Sequence, residues 1–195
     1  MYTLMRLTRY FPPLPLRCIL VVLVVFWVAL MAGYNFGPDF GTKDSLVGLD
    51  FVNYRDRPYV LTHVAMAEKH QKFLRFIAHN GMVCVVVLCL GPVIFFYPLI
   101  KASLLGFIIG VGLWNLGSPW LWGRFFLPHS LVELPVILYV DAIAMRSGLR
   151  WLAGGPEGRR SILRHELATN LKLFLLLIPL IIFAAYLEAY ITCRW

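Results

Sequence analysis

The chain has 195 residues, of which 60% are hydrophobic and only 14% charged, with a mean hydropathy of +0.75. Soluble domains run at about 45–50% apolar and about 25% charged, so too little polar surface remains to coat a water-facing globule, and the same balance excludes a disordered tail or a secreted disulfide scaffold. The net charge of +8 would suit a nucleic-acid binder, but the basic residues flank apolar runs and form no stripe with interleaved aromatics, so nucleic acid is not an expected partner. The first apolar run, about residues 18–36, lies between Arg17 and Asp39. It is longer than a signal-peptide core and lacks an A-x-A-like cleavage site, so it reads as a retained anchor.

Four more runs of the length a bilayer needs, about 20 residues, follow at about 76–98, 102–123, 125–145 and 173–193. The spacing predicts a tight turn near Pro98–Lys101 between the second and third, and Pro128 and Pro135 interrupt the fourth. The outer loop, 37–75, starts with the breakers Gly37, Pro38, Gly41 and Gly48, and a helical pattern sets in from about His63. The expectation is an all-α, polytopic integral membrane bundle of about five helices forming a single membrane domain. Cys18, Cys84, Cys89 and Cys193 lie in or beside apolar runs without zinc-ligand spacing.

Orientation follows from Lys and Arg in the short connections. Arg6, Arg9 and Arg17 precede the first run, and the basic segment 146–172 carries Arg146, Arg150, Arg159, Arg160, Arg164 and Lys172. Five spans put both on one side, so the N-terminus is expected in the cytoplasm and the C-terminus outside, in a multi-pass protein of the cytoplasmic (inner) membrane.

Ionisable groups inside a bilayer cost about 2.5–3.5 kcal/mol each on insertion scales, so Glu133, Asp141 and Glu188 need partners, protons or water. At about 1.5 Å per residue, His129 and Asn80 fall about 6 Å from the outer ends of their spans, Glu188 about 7–8 Å, and Asn115 and Glu133 about 12 Å. Five polar residues from four runs thus share one layer. His129 and Glu133 are spaced i, i+4 on one helix face. The layer can be interhelical hydrogen-bond glue or a site for an ion, proton or solute. Asp141 is expected to reach cytoplasmic water or pair with a basic residue such as Arg146.

Gly106 and Gly110 form G-x-x-x-G, which lets two helix backbones approach closely, either within the bundle or in a homodimer. Trp114, Trp120, Trp122, Phe125 and Phe126 sit where an interfacial aromatic belt belongs. Arg159, Arg160 and Arg164 alternate with Ile162, Leu163 and Leu167 after Gly154-Gly155-Pro156. That pattern suits anionic lipid, a docking partner, or a charged lead-in that sets topology. No nucleotide-binding loop, metal triad or nucleophile–base pair is evident, so no cofactor and no enzyme activity are expected, and any ATP-driven role needs a separate ATPase.

The fourth run reads Leu127-Pro128-His129-Ser130-Leu131-Val132-Glu133-Leu134-Pro135. It resembles the P-H-G-x-x-E-x-P signature of the stage II sporulation protein M family. Asn80, Gly91 and Asn115 fall where that family has them, and Pro179, Ala184, Ala185 and Glu188 resemble its closing helix, so that the likeness covers roughly residues 73–192. Ser130 departs from the usual glycine. The resemblance implies a polytopic membrane scaffold, since in spore formers the namesake holds cell-wall hydrolases at the engulfing septum. The implied role is assembly of other membrane or cell-envelope proteins. The alternative is a transporter subunit working with a cytoplasmic ATPase and using the polar layer for solute or ion.

Overall fold

A chain segment in lipid must satisfy its backbone hydrogen bonds internally, which a helix does within one segment. The computed structural model describes residues 16–40, 66–116, 119, 122–154 and 158–191, and the regular structure among them is entirely helical. In chain order come α1 (Leu16–Phe40), α2 (Met66–Leu90), α3 (Tyr97–Leu116), α4 (Leu127–Ala153) and α5 (Arg159–Tyr186). A π-helical turn, Trp122–Phe126, leads into α4, and a second, Leu187–Ile191, continues α5. Five helices are long and apolar enough to cross a membrane. The chain is an all-α, multi-pass integral membrane protein.

The helices outrun several of the hydropathy boundaries. The expected turn at Pro98–Lys101 lies instead at residues 91–96, because Pro92 follows Gly91 and the residue before a proline is pushed out of helical geometry. Pro98 sits in the first turn of α3, where a missing N–H is no loss. The segment 146–172, expected beyond the spans, is helical apart from the short link around Gly154 and Gly158. Its charges end a hydropathy run, but they do not end a helix when they find partners across the α4–α5 hairpin. Most of the outer loop and the start of the chain lie outside the described residues, and α2 takes up the chain at Met66.

α2 and α5 are antiparallel, since Leu88 meets Asn170 at one end and Phe73 meets Tyr190 at the other. α1 and α3 are parallel, with Gly106 against Phe26 and Gly110 against Leu30. α1, α3 and α5 therefore run one way and α2 and α4 the other. The end that carries the 91–96 turn and the α4–α5 link is termed the turn end, and the other the open end.

α4 is the most enclosed helix and touches all four others. On one flank, Val136, Val140, Ile143 and Ala144 pack with Cys84, Val87 and Leu88 of α2 and Leu173, Leu177 and Ile181 of α5. On the other, Ala142 and Met145 meet Cys18 and Val22 of α1 and Ala102 of α3. Leu131, Leu171, Leu175 and Phe183 point outward. Lipid is as apolar as those side chains, so close packing and polar contacts rather than hydrophobic burial hold the helices together.

The α1–α3 seam is the clearest case of such packing. A Cβ on Gly106 would strike the Phe26 carbonyl, one on Gly110 the Leu30 carbonyl, and one on Gly33 the Phe107 carbonyl. The G-x-x-x-G pair is therefore used inside the chain. At the open end, the Trp122 indole donates to the Leu113 carbonyl at 2.7 Å and meets Tyr34 edge-on at 5.8 Å. It thereby satisfies one of the carbonyls that a helix C-terminus leaves unpaired. Trp122 thus ties α1 to the end of α3, a role beyond the interfacial anchoring expected of it. Trp120 and the Phe125 side chain lie outside the described residues.

Candidate polar site in the bundle

Two sets of polar groups lie within the spans, one toward each end. The first contains the layer expected from the sequence. Asn80 is buried on α2, one turn before Cys84, and Glu133 is half-buried on α4. Both line one small pocket with Cys84, Val136, Ile137, Leu180, Ile181 and Ala184, contributed by α2, α4 and α5. It has room for about one water molecule. Glu188 lies on the π-helical turn after α5, within electrostatic reach of Glu133. Single-turn π segments of this kind often mark functional positions.

His129 is not among the residues that line that pocket. It lies one turn closer to the open end, with its ring edge-on to Phe126 at 5.9 Å. Asn115 belongs to the last turn of α3, but its side chain lies outside the described residues. Ser130, where the family signature has glycine, is buried and donates its hydroxyl to the Phe126 carbonyl at 2.5 Å. The hydroxyl gives the start of α4 an extra hold on the preceding π-helical turn.

The second set lies toward the turn end, and sequence reasoning did not assemble it. Asp141 is fully buried, and both of its oxygens accept from the Lys101 ammonium at 3.1 Å. The expected pairing with a basic residue is therefore present, but the partner is Lys101 and not Arg146: Lys101, one turn into α3, faces α4 where the two helices cross. Next along α4, Ser147 donates to Glu166 at 2.8 Å and to Asn170 at 3.3 Å. Arg150 pairs with the other Glu166 oxygen. The Asn170 amide in turn donates to the Leu88 carbonyl at 3.0 Å, so this network joins α4, α5 and the end of α2. A signal was available in the spacing, with Ser147 and Arg150 at i, i+3 facing Glu166 and Asn170 at i, i+4.

Most of that network is buried, and only Arg150 reaches substantially into solvent or headgroups. Glu166→Ala is expected to destabilise the protein by about 2 kcal/mol, the scale of hydrogen bonds to a charged group. Arg150→Ala is expected to cost less than about 1 kcal/mol, as for an exposed ion-pair partner. The midpoint of unfolding by an ionic detergent, followed through tryptophan fluorescence, separates the two. Equal losses would place the stabilisation in the ion pair alone.

Arg159, Arg160 and Arg164 are exposed at the start of α5, and the Arg159 guanidinium lies 5.9 Å from the Trp151 ring centroid. Arg17 opens α1 at the same end of the bundle. Among the described residues, no group of three His, Cys, Asp or Glu side chains comes together as a metal cage.

The segment that carries Pro128, His129, Glu133 and Pro135 thus begins the central helix, with Asn80 and Glu188 brought toward it from two others. A family profile described as Stage II sporulation protein M matches residues 18–193. The chain belongs to that family. The match takes in α1, which the residue-level likeness, from about 73 onward, did not cover. No curated protein and no solved structure matches the chain. In family terms, the P-H-x-x-x-E segment occupies the first two turns of the helix that all the others pack against.

Proposed function

We propose that this member of the stage II sporulation protein M family is a non-enzymatic scaffold of the cytoplasmic membrane that assembles or anchors other membrane or cell-envelope proteins. The observation that carries the reading is the use of polar groups at the turn end. Lys101, Asp141, Ser147, Arg150, Glu166 and Asn170 all join one helix to another. A bundle cross-linked in this way suits a fixed platform better than a pair of rocking halves. The positive-inside rule sets the turn end, with Arg17, Arg150, Arg159, Arg160 and Arg164, in the cytoplasm and the open end outside. Residues 37–75 then face the envelope as one contact surface. The basic start of α5 faces anionic lipid or a cytoplasmic partner as the other.

The test is extraction of the tagged protein at native level in mild detergent, with mass spectrometry of what accompanies it. The expected result is stoichiometric recovery of other membrane or envelope proteins, released by deleting residues 37–61 or by reversing the charges of Arg159 and Arg160. Retention of every partner after both changes would sink the two contact surfaces. A stoichiometric cytoplasmic ATPase would favour the second reading, a transporter subunit, whose support is the pocket shared by Asn80 and Glu133.

A further inference from the structure

The outer side of α5 changes character along its length. Residues three and four apart on a helix are neighbours, so Arg164, Ala168, Leu171, Lys172, Leu175 and Ile182 share one face. All six are exposed. The face is basic toward the α4–α5 link and apolar toward the open end. Glu166, the carboxylate of the same stretch, is turned the other way and held by Ser147 and Arg150 of α4. Among the described residues, no carboxylate pairs with Arg164 or Lys172.

Depth places this change at the membrane edge. Asn170 donates to the carbonyl of Leu88, two residues before α2 ends, so the chain turns back toward α3 near this level. From Asn170 to Ile191, where the π-helical turn ends, the helix rises about 32 Å, which matches a hydrocarbon core of about 30 Å. Lys172 then lies about 3 Å inside the core edge, Ala168 about 3 Å outside it and Arg164 about 9 Å outside it. The headgroup layer is about 5–7 Å deep on each side. A lipid phosphate therefore falls between the two basic residues, beside Ala168. A lysine near a helix end reaches its ammonium out to the interface, and the alanine methyl leaves room there for a headgroup. Arg160, a further turn out, stands about 15 Å beyond the edge and clears the layer.

We propose that Arg164, Ala168 and Lys172 form a binding site for the headgroup of one anionic phospholipid, with its acyl chains along Leu171, Leu175 and Ile182. An acidic protein would match the two charges but not the apolar side chains below them, whose neighbour at that depth is hydrocarbon. A lipid carries charge and apolar chain in the same order as the face does. The assignment rests on reading the basic start of α5 as a contact surface, and it divides that surface by depth. Arg164 and Lys172 go to lipid, and Arg159 and Arg160 are left for a partner.

The experiment is native mass spectrometry of the purified full-length protein in detergent, titrated with phosphatidylglycerol or with phosphatidylcholine of the same chains. No other protein is present, so an empty partner search leaves its result untouched. The expected result is one phosphatidylglycerol bound at least about tenfold more tightly than phosphatidylcholine, since each basic residue near an anionic lipid is worth about fivefold. Arg164→Gln and Lys172→Gln each weaken phosphatidylglycerol binding by about that single factor. Ala168→Phe, which fills the gap and keeps both charges, weakens it too. Arg17→Gln, at the same end of the bundle but on α1, does not. Equal retention of the two lipids by the unaltered protein overturns the proposal, and this comparison needs no variant to fold. An equal loss in Arg17→Gln also overturns it, because general charge attraction then accounts for the binding. So does displacement by excess inorganic phosphate, which would leave the acyl chains without a role. If phosphatidylglycerol is not preferred and Lys172→Gln releases a partner protein instead, the face is a protein contact and the lipid site is refuted.

Discussion

Lys101→Met is expected to destabilise the protein by about 3–5 kcal/mol, the cost of removing one partner from a buried ion pair. Asp141 is fully enclosed and takes both of its contacts from the Lys101 ammonium. Methionine keeps the length of the side chain, so little packing is lost and the effect reports on the stranded carboxylate. Asp141→Leu should be of similar size, because it leaves an ammonium pointing into the α3–α4 crossing. The double substitution should recover most of the loss, since two apolar side chains of matching volume pack in place of the pair. Unfolding midpoints in ionic detergent for the four proteins give the coupling directly. If the double variant loses as much as the sum of the singles, the pair is not acting as a unit, and α3 is held to α4 by other contacts.

The same pair marks where sequence reading reached its limit. Arg146 looked like the natural partner for Asp141 because it lies nearby on the same helix. Lys101 lies 40 residues away in the chain, and only the antiparallel run of α3 and α4 brings it across. Long apolar runs declare helices regardless of what packs on them, which is why five spans could be read from hydropathy. Their ends could not be read that way. α4 and α5 continue through Arg150 and Glu166, whose charges look like the end of a span but pair across the hairpin.

The polar layer was legible in depth but not in azimuth. Residue counting brought Asn80 and Glu133 to one level, and the structure turns both toward one pocket. Counting put His129 in the layer about one turn nearer the outer end than Glu133, on the same helix face. It lies a turn nearer the open end, against Phe126. The π-helical turn at Leu187–Ile191 was not legible at all, since nothing in its residues distinguishes it from continued α-helix. A π turn shifts the register of the helix face, and so it decides where the Glu188 carboxylate sits.

Gly110→Leu is expected to cost about 3 kcal/mol or more, beyond the usual range for overpacking, because the atoms in the way are backbone. A side chain at 110 meets the Leu30 carbonyl and the Tyr34 amide, and one at 106 meets the Phe26 carbonyl. Backbone cannot rotate aside, so α1 would have to move off α3 along their whole seam. The Tyr34–Trp122 contact, at 5.8 Å, would be lost with it. Trp122 fluorescence should therefore change in the folded variant, in parallel with a lower unfolding midpoint. Gly123→Leu provides the contrast, because the space beside that glycine is open. It should leave both readouts unchanged. A homodimer built on the G-x-x-x-G motif makes the opposite prediction. In that case Gly110→Leu would halve the mass of the detergent-solubilised particle and leave the midpoint of the single chain where it was. In the fold observed, the mass stays and the midpoint falls, because the surface on which a second copy would have to dock is already filled by α1.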